Sequence, residues 1–237
     1  MVVAPGYEPT FFAKVDPQAG VLDAQLKARP ATNLQPSHIV LGRVVDEKGE
    51  PVENAVVSLH SLRQGDTTHG WPPEGTDPLA VTDQRGEFFL SSREAFDAMN
   101  LEVEARRFAR KRINDVPGGP KRQTLTMTEG AALTGRVLKD GKPLKGVALG
   151  VVSQDRSMEN FTGDFVIGTM DDGNFLFSNL PADRQYYLYG VMSSFTNHGA
   201  LTPRLVKAGV DGSTKDLGDL SVVPDGGICV EQLPMWP

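Results

Sequence analysis

Short runs of β-branched and aromatic residues recur along the chain, separated by turns rich in glycine, proline, aspartate and asparagine. Within the runs, apolar and polar positions tend to alternate, the two-residue period of a half-buried strand. The same order of runs occurs twice. Ile39-Val40-Leu41-Gly42-Arg43-Val44-Val45-Asp46 opens one unit, and Gly49-Glu50-Pro51-Val52 follows it. Ala132-Leu133-Thr134-Gly135-Arg136-Val137-Leu138 opens the other, and Gly141-Lys142-Pro143-Leu144 follows. The two openings stand on the order of 90 residues apart, too far for a solenoid repeat of about 20–50 residues, so the pattern predicts tandem domains.

Each unit predicts the same series of strands. Asp46 to Gly49 and Lys139 to Gly141 are hairpin turns, and Asp-Gly between two β-rich runs is a strong hairpin signal. Ala55–His60 and Val147–Val152 are second strands. A long loop, Arg63 to Pro78, follows the first and a shorter one, Ser153 to Gly163, the second. Then come a threonine, a polar turn and an aromatic strand: Val81-Thr82-Asp83-Gln84-Arg85-Gly86-Glu87-Phe88-Phe89-Leu90 and Gly168-Thr169-Met170-Asp171-Asp172-Gly173-Asn174-Phe175-Leu176-Phe177. Alternation puts Phe88 with Leu90, and Phe175 with Phe177, on the core face. Leu101–Ala105 and Tyr187–Val191 are penultimate strands; Thr124–Met127 and Leu217–Val222 close the units. A weak helical turn is expected over Arg93–Met99. Short strands at regular spacing argue an all-β protein built of antiparallel β-sandwiches.

The ends extend the pattern. Val3–Pro9 and Val21–Leu26 are similar to the last two strands of a unit, so residues 1–29 read as the C-terminal strands of an incomplete first repeat, with Ala28 to Ser37 as linker. The complete sandwiches then span 38–128 and 131–222. Residues 223–237 read as the stub of a further repeat or a tail.

Composition narrows the function classes. The 237 residues carry a net charge of −6, which disfavours a nucleic-acid binder with a basic face. One basic run, Arg106-Arg107-Phe108-Ala109-Arg110-Lys111-Arg112, reads as a strand end and loop with a solvated charged face. The single cysteine, Cys229, allows neither an internal disulfide nor a multi-cysteine zinc site. No apolar run approaches the roughly 20 residues of a membrane helix, so no membrane insertion is expected. Met1–Tyr7 lacks a basic region leading into a hydrophobic stretch, so no signal peptide is expected there.

The recurring residues resemble those of the carboxypeptidase regulatory-like domains, a transthyretin-like (prealbumin-like) β-sandwich family. The first copy carries the resemblance in Gly42, Arg43, Val44, Gly49, Pro51, Val52, Ala55, Val57, Thr82, Asp83, Gly86, Phe88 and Leu90. The second keeps Gly135, Arg136, Val137, Gly141, Pro143, Leu144, Thr169, Gly173, Phe175 and Phe177, and departs at Val147 and Met170. The resemblance implies tandem Greek-key sandwiches that act as non-catalytic modules, often strung in arrays in bacterial extracellular or envelope proteins. It implies other domains of the same or a larger polypeptide as partners. Related folds include carbohydrate-binding modules and collagen-adhesin B-type domains, which makes glycans the alternative partner.

Motifs for chemistry are sparse. His38, His60, His69 and His198 are not spaced as metal ligands, and no nucleophile elbow, P-loop or dinucleotide fingerprint occurs. No enzyme activity, metal or cofactor is expected. Asp171-Asp172-Gly173-Asn174 offers hard oxygen ligands but reads as a hairpin turn. An intramolecular Lys–Asn isopeptide bond is not expected, because neither closing strand contains asparagine. Aromatic rings that stack on sugars are the remaining route. Trp71 lies in the long loop between His69 and Glu74, and these three residues are the candidate ligand site. Tyr186, Tyr187 and Tyr189 form a second aromatic group, expected as core or inter-domain contacts.

Overall fold

The computed structural model describes residues 1–16, 18, 20, 21, 23–29, 34–70, 72–157 and 160–223. The chain divides into two compact units, Met1–Thr128 and Glu129–Pro237.

Among its described residues the first unit holds eight strands: β1 (Ile39–Val45), β2 (Val56–Gln64), β3 (Thr67–His69), β4 (Leu79–Val81), β5 (Glu87–Ser91), β6 (Ala98–Glu104), β7 (Lys111–Pro117) and β8 (Gly119–Thr126). They form two sheets. One has the order β5-β1-β8; in the other β2 pairs β6 on one side and β3 and β4 on the other, and β7 lies beyond β6. The core fills the space between them. Val40, Val44, Phe88, Leu90 and Leu125 from the first sheet meet Val57, Leu59, Leu62, Met99, Leu101 and Val103 from the second.

Among its described residues the second unit has two four-stranded sheets, where the first has sheets of three and five, built from β9 (Ala131–Lys139), β10 (Lys142–Pro143), β11 (Ala148–Ser153), β12 (Asp164–Gly168), β13 (Asn174–Leu180), β14 (Gln185–Gly190), β15 (Arg204–Lys207) and β16 (Thr214–Ser221). One sheet gathers β10, β13 and β16 around β9, and the other runs β12-β11-β14-β15. Leu133, Val137, Phe175, Phe177 and Leu220 face Leu149, Val151, Tyr186, Leu188 and Val206 across its core. The expected all-β sandwiches are therefore present. Among the described residues pairing is antiparallel except at one seam per unit: the closing strand lies parallel to the opening strand, β8 on β1 and β16 on β9.

The recurring sequence residues build one recurring clip. Thr82 is fully buried; its hydroxyl donates to the Val52 carbonyl (2.7 Å) and accepts from the Ala55 amide (2.8 Å). Thr169 does the same between Leu144 (2.9 Å) and Val147 (3.1 Å). In each unit two segments are thereby tied at one point, the turn after the threonine's strand and the turn leading into β2 or β11, and each buried backbone group gains the partner it needs. Gly86 and Gly173 follow at φ +72° and +74°, where a side chain would press on the Val44 and Val137 carbonyl oxygens. Their own carbonyls accept from the Val44 and Val137 amides at 2.8 and 2.9 Å. Gly42 and Gly135 are conformationally ordinary, but the Phe88 and Phe175 rings lie against them and leave no room for a Cβ.

Two local expectations are corrected. Arg93–Met99 is not helical: β6 begins at Ala98, because Ala98 and Met99 pair with both β2 and β7 and bury their side chains. A single helical turn, α1 (Met192–Phe195), occurs instead between β14 and β15. It buries Phe195, whose ring lies over Gly190. Four residues are too few for a helical period to be visible in sequence. The basic run is also more structured than a solvated loop. Lys111 and Arg112 belong to β7, Arg112 is paired in register with Glu102, and Arg110 reaches Glu104 at 2.8 Å.

Candidate functional site

Of the expected ligand residues, His69 and Glu74 are described. Trp71 lies outside the described residues. His69 ends β3 opposite Leu62. Glu74 sits in the following turn with its side chain 91% exposed, 3.9 Å from Arg93. No hydrogen bond or ion pair joins His69 to Glu74. The other histidines are dispersed: His38 Nδ1 lies 3.2 Å from the Ser92 carbonyl, and partial burial within β2 pushes the His60 imidazole below its usual 6.5, helped by Arg112. Among the described residues no group of His, Cys, Asp and Glu is arranged to hold a metal ion. Asp171–Asn174 makes the β12–β13 turn, with Asp172 accepting from both the Asn174 amide (3.0 Å) and its side chain (2.6 Å).

Each unit has a concave surface among its described residues. In the first, the N-terminal segment lies against the outer face of the β5-β1-β8 sheet. It is pinned by Arg29, whose guanidinium grips both Asp77 oxygens at 2.9 and 2.7 Å and stacks 5.2 Å above the Phe89 ring. Asp77 also accepts from the Ser91 amide and hydroxyl (2.8 and 2.9 Å). Isolated bridges, Val2 with Thr10 and Tyr7 with Ala28, hold the segment's own turns. A groove of about 300 Å³ remains between it and Leu41, Phe88 and Phe89.

The second unit carries a more polar cleft of about 500 Å³ where β11 and β15 end and β14 begins. Gln154, Asp155 and Asn160 line one wall; Asp183, Arg184, Gln185 and Lys207 line the other. One side of this cleft is braced. Asp155 accepts from the Ser157 amide (2.9 Å) and the Asn160 side chain (2.8 Å), which holds its carboxyl below the usual carboxylate range. Arg184 Nη1 donates to the Asn160 carbonyl, and Nη2 to its side-chain oxygen at 3.4 Å. Lys207 Nζ lies 3.7 Å from Asp183. Ser153 ends β11 on its inward-facing side with Leu149 and Val151, is 2% exposed, and its hydroxyl has no hydrogen-bonding partner among the described residues.

The three tyrosines divide by strand alternation. Tyr186 is core: its hydroxyl donates to the Pro181 carbonyl (2.9 Å), and burial drives its pKa far upward. Tyr187 and Tyr189 face outward. Tyr189 lies over Gly150 and donates to Asp164 at 3.2 Å, and Tyr187 stands opposite Leu205. Sequence reading singled out the tyrosines but not the cleft. Its residues come from four separated segments and share no motif.

The fold thus defines a nearly all-β protein of two β-sandwich units. No family model and no curated protein matches the chain. Among solved structures it is similar to the Streptococcal ancillary pilin, at 17% identity over 90% of this chain and 69% of that one, with a TM-score of 0.38. It is also similar to the Bacillus anthracis TIE protein (12% identity, 78% and 34% covered, TM-score 0.30). The shaft pilin SpaA of Lactobacillus rhamnosus GG gives 10% identity, 81% and 99% covered, and a TM-score of 0.35. No helix among the described residues is long and apolar enough to cross a membrane.

Proposed function

We propose that the chain is a non-catalytic spacer of a bacterial surface or envelope protein, built to carry tension between neighbouring domains of the same or a larger polypeptide. The observation that carries this reading is the parallel seam in each unit. In the second unit Ala132 lies opposite Thr214 and Leu138 opposite Ser221. The unit therefore begins at one end of the seam and leaves from the other. Tension applied to its two ends drags β9 and β16 past each other along their length, so all the seam bonds resist together. An antiparallel seam would bring both ends to one side and open bond by bond.

Further contacts strengthen the same line. Arg136 and Asp219, opposite one another in register, form a two-bond ion pair at 2.9 Å each. The Ala132 amide donates to Ser213 and the Val222 amide to Leu138, both at 2.8 Å, which extends the seam at each end. In the first unit Met127 similarly donates to Val45 at 2.8 Å. The residues shared by the two units are spent on the fold, which also favours a structural role. The surface location rests on the resemblance of the recurring motif.

Single-molecule stretching tests the reading. Cys229 serves as one handle and a second cysteine as the other. Glu129→Cys loads the β9–β16 seam in shear, whereas Lys139→Cys, at the far end of β9, peels the same seam open. The expected result is a several-fold higher unfolding force in shear. Equal forces, or a discrete enzymatic activity of the full chain, would overturn the proposal.

A further inference from the structure

We infer that the polar cleft of the second unit is a binding site for a neutral, hydroxyl-rich saccharide. This inference stands independently of the tension-bearing role.

The cleft, about 500 Å³, falls within the range of small-ligand sites, about 300–1,000 Å³. Its lining carries donors and acceptors in a mixture suited to hydroxyl groups, each of which both donates and accepts. The Gln154 and Gln185 amides offer one of each kind, and neither is engaged by another described residue. Lys207 offers a donor, and Asp183 an acceptor, at the mouth. Asp155 and Arg184 are already oriented through Asn160, so that wall needs no rearrangement on binding. Charge is balanced, with Asp155 and Asp183 against Arg184 and Lys207. This disfavours a polyanion or polycation and favours an uncharged ligand.

Ser153 supplies the second observation. A buried hydroxyl without a partner costs roughly 1–3 kcal/mol. A strand end inside an apolar core would accommodate alanine or valine at lower cost. Ser153 lines the cleft, and its unmet hydroxyl is the group that a ligand hydroxyl on the cleft floor would satisfy.

The surface next to the cleft continues the argument. Gln185, Tyr187 and Tyr189 share the outward face of β14, and Leu205 and Lys207 that of β15. A chain leaving the cleft along this face passes from amide and ammonium groups onto half-buried tyrosine rings. That order, polar groups for hydroxyls and then flat apolar surface for a sugar face, suits a second sugar unit.

The test uses the full chain and affinity gels cast with neutral glucan, mannan, galactan or xylan, with a peptide array as the competing arm. Binding to one of the polysaccharides is expected, weakened about tenfold or more by Gln185→Ala with Lys207→Ala. Both substitutions are exposed and should leave the unfolding midpoint unchanged. Ser153→Ala should weaken binding while leaving stability equal or higher, a result that a merely structural serine would not give. Retained binding in Trp71→Ala places the site in the second unit. Loss in Trp71→Ala alone, capture of peptides and not sugars, or no binding to any polysaccharide would each overturn the inference.

Discussion

Replacing Thr82 with valine tests the clip that recurs in both units. The shape is kept and the hydroxyl removed, so the Ala55 amide and the Val52 carbonyl lose their partners inside the core. Each unsatisfied buried group costs about 1–3 kcal/mol, and the added methyl returns about 1 kcal/mol, for a net loss near 3 kcal/mol. At about 2 kcal/mol per molar urea, the midpoint of the first unit should fall by about 1.5 M. Thr82→Ser, which keeps both bonds and loses one methyl, should cost only about 1 kcal/mol. Thr169→Val should reproduce the larger loss in the second unit, where the same two bonds are made. Hydrogen exchange read on peptides from each unit, across a urea series, assigns each loss to its own sandwich. A loss below about 0.5 kcal/mol, or one as large for serine as for valine, would show that the hydroxyl is not the tie described here.

Other substitutions follow from the same geometry. Gly42→Ala should cost about 1–3 kcal/mol because the Phe88 ring occupies the space of the new methyl, and Phe88→Leu in the same chain should restore part of it; no rescue would place the strain elsewhere. Arg29→Met should destabilise the first unit by about 3–5 kcal/mol, leaving the buried Asp77 carboxylate without its cation, and should speed proteolysis within residues 1–29; unchanged proteolysis would show that Arg29 is not the anchor. His60 has a folded-state pKa below 6.5, so the unfolded chain binds the proton more readily. Its contribution to stability is present above pH 6.5 and is lost as pH falls through the folded value. His60→Gln should flatten that decline in urea melts of the first unit, and an unaltered slope would refute the assignment.

What could be read from sequence is what local chemistry dictates. Asp140 and Gly141 adopt φ +51° and +73°, the paired positive values of the tight hairpin that Asp-Gly announces. Phe88, Leu90, Phe175 and Phe177 lie on the core face because strand alternation is a property of the backbone. Tertiary pairing decided the rest. Arg93–Met99 carries no strong strand signal, yet Met99 becomes fully buried between β2 and β7. Arg112 reads as a solvated charge until Glu102 is placed beside it. Arg29 and Asp77 are far apart in the chain and lie in segments with no motif, so their pairing left no local trace. The unit-two cleft was illegible for the same reason, since Ser153, Asn160, Gln185 and Lys207 meet only after the sandwich closes.

The seam between opening and closing strands also sets the order of events in folding. Val44 pairs with Leu125, and Val137 with Leu220, each about 80 residues apart, so the last strand completes what the first began. A chain emerging from the ribosome holds β1 with one edge unpaired until Thr126 arrives. Until then that edge is a template for any extended strand nearby. Each unit is therefore most vulnerable to misassembly during synthesis, and a truncation that removes β8 or β16 alone should produce aggregates before it produces a loosened monomer.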